Sequence, residues 1–233
     1  MKDESNSTQM SKAYAELERR IVSLQLLPGE VVSENTLSRD LSMGRTPVRE
    51  ALRELSREGL VVIMPKRGVV IAEIDVVRQL RLLEFRRVAE RFVVESAARR
   101  ASDVEKRRFA NLTSEMLRAS IAEDGETFLD LDRQFNEMVI EVSRNEFAAA
   151  SMRLSQGLSR RFWFAYYRHS DNLSETIRLH AEIAKAISLG DPEAAGTGLN
   201  RLIDNVEAFT RATLDFESGW LSSGHGSTES DDI

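Results

Sequence analysis

Between residues 11 and 25 the apolar positions Ala13, Leu17, Ile21 and Leu24 recur every three or four residues, a period that predicts an amphipathic helix ended by Pro28-Gly29. Ser33 can cap a second, shorter helix in which Leu37 and Leu41 stand at i,i+4, and the segment Ser42 to Gly44 breaks it. A third helix begins near Thr46 with Pro47 in its first turn, where a missing N–H costs nothing, and Gly59 stops it. The period then shortens. Residues 60–72, LVVIMPKRGVVIA, are two β-branched runs around Pro65-Lys66-Arg67-Gly68 and predict a hairpin with a basic tip.

From Asp75 the pattern is purely helical, with six helices predicted at about 75–101, 102–122, 126–143, 145–170, 173–189 and 192–216. Ser102 with Glu105 forms a capping box, Asn145 can cap a later helix, and Asp191-Pro192 supplies a cap and a first-turn proline. The expected fold is mainly α. Residues 1–74 read as a winged helix-turn-helix of three helices plus a β-hairpin wing, 75–220 as an all-α antiparallel helical bundle, and 221–233 as a disordered acidic tail.

Composition narrows the setting. The 233 residues exceed the roughly 100–200 typical of one domain. With no cysteine, a disulfide framework and thiolate chemistry are excluded, and a reducing compartment, the cytoplasm, is expected. A polar, acid-containing start and the lack of a long apolar run predict neither signal peptide nor membrane span. The net charge of −6 argues against nucleic acid only on average. Residues 45–67 hold six basic side chains (Arg45, Arg49, Arg53, Arg57, Lys66, Arg67) against three acidic (Glu50, Glu54, Glu58), and focused charge is what phosphate binding needs.

On the third helix, Val48, Ala51, Leu52 and Leu55 form one stripe, the four arginines a second and the three glutamates a third. Arg and Glu at this spacing also suit a solvated, salt-bridged surface. Position favours the other reading: the row opens the second helix of a helix-turn-helix and precedes a basic hairpin. Side chains at the start of such a helix reach base edges in the major groove, while the wing touches backbone. Arg45 and Arg49 are thus the candidates for guanine O6 and N7, and Arg53 and Arg57 for phosphate or structural pairing.

The stretch PGEVVSENTLSRDLSMGRTPVREALRELSREGLVVIMPKRGVVIAEI resembles the DNA-binding domain of the GntR family of bacterial transcription regulators, through RTPVREAL, Glu34, EGL and the P-x-R-G wing. The resemblance implies DNA binding by Glu34, Arg45, Thr46, Arg49, Arg53, Lys66, Arg67 and Gly68. One departure lies in the turn: the family usually reads Leu-Gly-Val-Ser-Arg, and this chain has Leu41-Ser42-Met43-Gly44-Arg45. A capping hydroxyl is lost before Arg45, which Thr46 is expected to replace.

The helical half resembles the FCD effector and dimerisation domain of the FadR subgroup, through FRRVAE (85–90), FLDLDRQFNEMV (128–139) and RLHAEIAKAISLGDPEAA (178–195) in that order. The metal ligands of many such domains fall here on Asp132, Asn136, His180 and Leu202. An amide is a poor zinc ligand and leucine is none, so the resemblance implies at most weak zinc or nickel binding by Asp132, Asn136 and His180. Arg86 becomes the expected fixed charge for a small organic acid effector, with Asn136 and His180 hydrogen bonding and Asp132 holding one of them in orientation. The aromatic cluster RRFWFAYYR, 160–168, reads as packing in the bundle core and at a dimer surface rather than ligand stacking.

These readings converge on a ligand-responsive, homodimeric regulator of double-stranded DNA, most simply a repressor. A metal-assisted hydrolase built on Asp132 and His180 is the rival, weakened because no nucleophile is paired with a base in the sequence. A DNA-binding dimer without a small-molecule effector is the third reading.

Overall fold

A computed structural model describes residues 2–167 and 172–223, with side chains described for 8–167 and 172–213. The order is α1 (Lys2–Val22), β1 (Val31–Val32), α2 (Glu34–Asp40), α3 (Arg45–Arg57), β2 (Val61–Met64), β3 (Gly68–Ile71), α4 (Val76–Arg100), α5 (Asp103–Ala122), α6 (Gly125–Ser143), α7 (Glu146–Tyr166), α8 (Leu173–Leu189) and α9 (Pro192–Ser223).

Two separate cores result. In the first, Ala13, Leu17 and Ile21 of α1 pack with Val48, Ala51, Leu52 and Leu55 of α3 and with Leu37, Leu60, Val69 and Ile71. Each large side chain so buried contributes roughly 1.5–3 kcal/mol. The second core is built by α4 to α9, with α5 against α8 and α4 against α9. Ser33, Ser102 and Asn145 cap as expected, Ser102 and Glu105 completing the capping box.

Several expectations change. The first helix starts earlier and ends at Val22, before Leu24, which adopts φ +57°. The hairpin is one part of a three-stranded sheet of order β1-β3-β2, because Val31 and Val32 pair with Val70 and Val69 along the free edge of β3. Helix α9 runs to Ser223, through the start of the expected tail; the remainder of the tail and residues 168–171, which include the end of the helix expected at 145–170, lie outside the described residues.

The exchanged turn residues leave a mark. Ser42 takes φ +53°, the left-handed conformation that glycine adopts without strain, whereas Gly44 is the cap of α3 and has no side chain to accept a hydrogen bond. Thr46 does not replace that cap, since α3 has already begun at Arg45.

Candidate nucleic-acid interface and effector cavity

Burying Val48, Ala51, Leu52 and Leu55 turns Arg45, Arg49, Arg53 and Arg57 outward, and all four are exposed together with Thr46. Arg49 Nε donates to Glu34 Oε2 at 3.0 Å, and Arg45 Nη1 lies 3.5 Å from Asn35 Oδ1. Glu34, at the start of α2, therefore holds Arg49. Arg57 pairs with Glu54 at 2.5 Å.

At the wing, Arg67 N donates to Met64 O at 3.0 Å across Pro65-Lys66, with Lys66 at φ +66°. This is a type II turn with proline at its favoured place and lysine where glycine is usual. Lys66 and Arg67 are exposed at its tip. Gly68 follows at φ +107°, and a Cβ there would stand 2.7 Å from the Val32 carbonyl oxygen of β1. Its role is steric: only a bare Cα lets β1 and β3 meet.

The glutamate stripe of α3 is not one solvated face. Glu58 is only 4% exposed and accepts the Tyr14 hydroxyl at 2.9 Å. Burial first, then the nearby Glu18 and Glu54 charges, push its carboxyl up to about 7, against the lowering by the Tyr14 hydrogen bond.

In the bundle, Asp132 and Asn136 face one way on α6 and meet His180 of α8. Asn136 Nδ2 donates to Asp132 Oδ1 at 3.1 Å, and His180 Nε2 lies 3.1 Å from the same oxygen. His180 Nδ1 donates to the Thr176 carbonyl at 2.8 Å, which fixes the ring, and Phe128 and Phe135 meet it edge-on. Burial would raise the Asp132 pKa, but the His180 hydrogen bond and the charges of His180, Arg160 and Arg86 together hold it below the usual carboxylate range.

Arg86, Asp132, Asn136 and His180 line one cavity of about 40 Å³, with Phe128 and Trp163 among its walls. That holds a few waters, at roughly 10–15 Å³ each, so an organic ligand must move side chains apart to enter. Arg86 is not a waiting charge. Its Nε and Nη2 donate to the two oxygens of Glu90 at 2.5 and 3.1 Å, and Nη1 donates to Ser159. The aromatic cluster is turned inward, with Phe162, Trp163 and Tyr167 buried, so Trp163 joins the cavity wall instead of an outer surface.

Sequence reasoning missed the polar side of α7. Gln156, Ser159 and Arg160 line the cavity. Gln156 Nε2 and Arg160 Nε are buried without a hydrogen-bond acceptor among the described residues, a state that costs roughly 1–3 kcal/mol per group. The only signal was their spacing, four apart on a helix, overshadowed by the aromatics that follow.

The donor set does not fit a resident divalent ion. Leu202 is buried in the apolar core where a fourth ligand is implied, Asn136 offers an amide, and Arg160 Nε already brings a cation to 3.9 Å from Asp132 Oδ2. Among the described residues no group of three His, Cys, Asp or Glu side chains could hold a metal.

A winged helix-turn-helix with an arginine row on its second helix, joined to a helical bundle around a polar cavity, defines a DNA-binding regulator of transcription. Comparisons with known proteins agree. Residues 9–71 match the bacterial regulatory proteins of the gntR family and residues 81–205 the FCD domain. The transcriptional repressor RspR of Escherichia coli is 26% identical over 212 residues, 90% of this chain and 92% of its own length. The Nta operon transcriptional regulator of Aminobacter aminovorans is 30% identical over 161 residues, 68% of this chain and 75% of its own. Among solved structures, E. coli McbR/YncC superposes with a TM-score of 0.74 at 18% identity, covering 88% of this chain and 98% of that one. The chain belongs to the GntR family of transcription regulators, with an FCD domain as its second half, and it is a regulator, not an enzyme. Among the described residues no helix is long and apolar enough to cross a membrane.

Proposed function

We propose that the protein is a homodimeric repressor, working in the cytoplasm, that releases its operator when a small organic acid enters the helical domain. The observation that carries the reading is the exposed arginine row at the start of α3 beside a basic wing. Arg45 and Arg49 read base edges, with Thr46 and Arg53 toward the flanking phosphates. Lys66 and Arg67 hold backbone at the wing, and Gly68 lets the wing form. Glu34 orients Arg49 and contributes to DNA binding only through it.

The effector site is the cavity of Arg86, Asp132, Asn136 and His180, without a resident zinc or nickel ion. Pairing of two copies is assigned to α4, where Phe85, Val88 and Phe92 form an exposed apolar stripe and Val88 is 74% exposed. A single reader buries only about 600–1,000 Å² on DNA, so two-fold pairing is the simple route to operator affinity.

The test is binding of a selected duplex and a random duplex at several salt concentrations. Arg49→Ala should cost roughly 1–3 kcal/mol on the selected duplex and relax sequence preference, whereas Lys66→Ala should weaken both duplexes alike and lower the salt slope by about one. Equal losses on both duplexes for both variants would refute the division of roles.

A further inference from the structure

Arg160 stands in the wall between two hollows. The cavity of the bundle and a larger cleft of about 260 Å³, which runs between α1 and the α6–α7 face, share Leu129 and Arg160 as lining. On the cleft side Arg160 Nη2 donates to Glu18 Oε1. Glu18 belongs to α1 of the DNA-binding domain and is only 2% exposed. On the cavity side Arg160 Nε reaches Asp132 Oδ2 only at 3.9 Å, too far for a hydrogen bond. It lacks an acceptor among the described residues, and so does Gln156 Nε2 one turn earlier on the same helix. Two buried donors without acceptors, one of them charged, complement a ligand that carries two acceptor oxygens on one carbon.

We propose that Arg160 and Gln156 receive the carboxylate of the effector, and that this carboxylate competes with Glu18 for Arg160. The proposal rests on reading the helical domain as an effector site and specifies its chemistry. The ligand class is a small monocarboxylate with an apolar body. Phe128, Leu129 and Trp163 offer that body apolar surface. Two other arginines of the cleft are engaged, Arg19 by Glu16 and Arg133 by Glu137, and the buried donors without acceptors, Arg160 Nε and Gln156 Nε2, number what one carboxylate takes.

Sharing Arg160 links the ligand to the reader. Glu18 stands near Glu58, which caps the C-terminus of α3 and is held by Tyr14 of α1. When the guanidinium turns to the ligand, Glu18 is left buried without its cation. Separation of α1 from α7 returns that carboxyl group to water, and α3 moves with α1 because the two share a core.

The test uses the full chain and a series of sodium carboxylates from acetate to hexanoate, followed by titration calorimetry. The wild type should bind at least one member. Glu18→Gln keeps the shape and removes the competitor, so it should bind that member at least tenfold more tightly; Arg160→Gln should bind it at least tenfold more weakly. The double variant Glu18→Gln/Arg160→Gln, which has neither buried charge, should keep the wild-type circular dichroism and bind as weakly as Arg160→Gln. A merely structural Glu18 would leave affinity unchanged or lower when neutralised. No tightening in Glu18→Gln, wild-type affinity in the folded Arg160→Gln or double variant, or no carboxylate bound by the wild type, each overturns the proposal. In the last case a parallel panel of amines, amides and sugars separates the two levels: a binder that alters duplex affinity keeps the effector reading and removes only Arg160 as receiver, and silence across both panels removes both.

Discussion

Gly68→Ala perturbs the wing without touching a charge. At φ +107° an alanine is held in a region close to glycine-only, at a cost of roughly 1–3 kcal/mol. Its Cβ would also stand 2.7 Å from the Val32 carbonyl oxygen, so β1 must retreat from β3 and weaken the pairing at Val31↔Val70 and Val32↔Val69. Each ladder hydrogen bond lost costs about 1 kcal/mol net. A total near 3 kcal/mol follows, and with a urea slope of roughly 1–3 kcal/mol/M the midpoint of the DNA-binding domain should fall by about 1–3 M. Duplex binding should lose salt dependence equivalent to about two phosphate contacts, because Lys66 and Arg67 are displaced together. Lys66→Gly is the control: it relieves the left-handed strain at φ +66°, leaves the midpoint unchanged or slightly raised, and removes one contact. A Gly68→Ala midpoint within about 0.2 M of wild type, measured by urea titration, would refute the steric account of the wing.

Glu58→Gln should remove a pH dependence of stability. With its carboxyl at about 7 against 4.5 when unfolded, the folded chain holds a proton that the unfolded chain has released, so stability falls as pH rises between those values. The variant should match wild type near pH 4.5 and exceed it at pH 8 by thermal melting; parallel profiles would contradict the assignment. Restoring the turn, Ser42→Gly with Gly44→Ser, should stabilise by roughly 1 kcal/mol in urea unfolding, since it relieves φ +53° and restores a cap hydroxyl. The space beside Gly44 admits a Cβ, the nearest atom being Pro47 Cδ at 3.6 Å. Val88→Asp on the exposed stripe of α4 should give a folded monomer by light scattering at micromolar concentration, and a persisting dimer would move the pairing face elsewhere.

What the sequence made legible was local. The stripe of Val48, Ala51, Leu52 and Leu55 needed only the helical period, and Ser33, Ser102 and Asn145 announced helix starts by their own chemistry. β1 was invisible because two valines have no period; they become a strand only when β3 offers an edge. Glu58 looked like one of three equivalent glutamates until α1 brought Tyr14 across 44 residues to meet it. Arg86 looked like a free charge because its partner's role was hidden in plain i,i+4 spacing: Glu90 can pair or point to solvent, and burial decides which. Arg160 gains its meaning from Glu18, 142 residues away, a distance that pattern reading along the chain does not span.

Arg161, the neighbour of Arg160, donates to the carbonyl oxygens of Ala72 and Glu73 at 2.7 and 3.1 Å, in the short link between β3 and α4. A link gripped in this way by a helix of the other domain is a strut, and in the ligand-free dimer proposed above it would make the protein a ruler. One inserted base pair moves a half-site along the duplex by about 3.4 Å and around it by about a tenth of a turn. A loose tether would absorb that change. A strut cannot, so binding by the proposed dimer should depend on the number of base pairs between half-sites as much as on their letters.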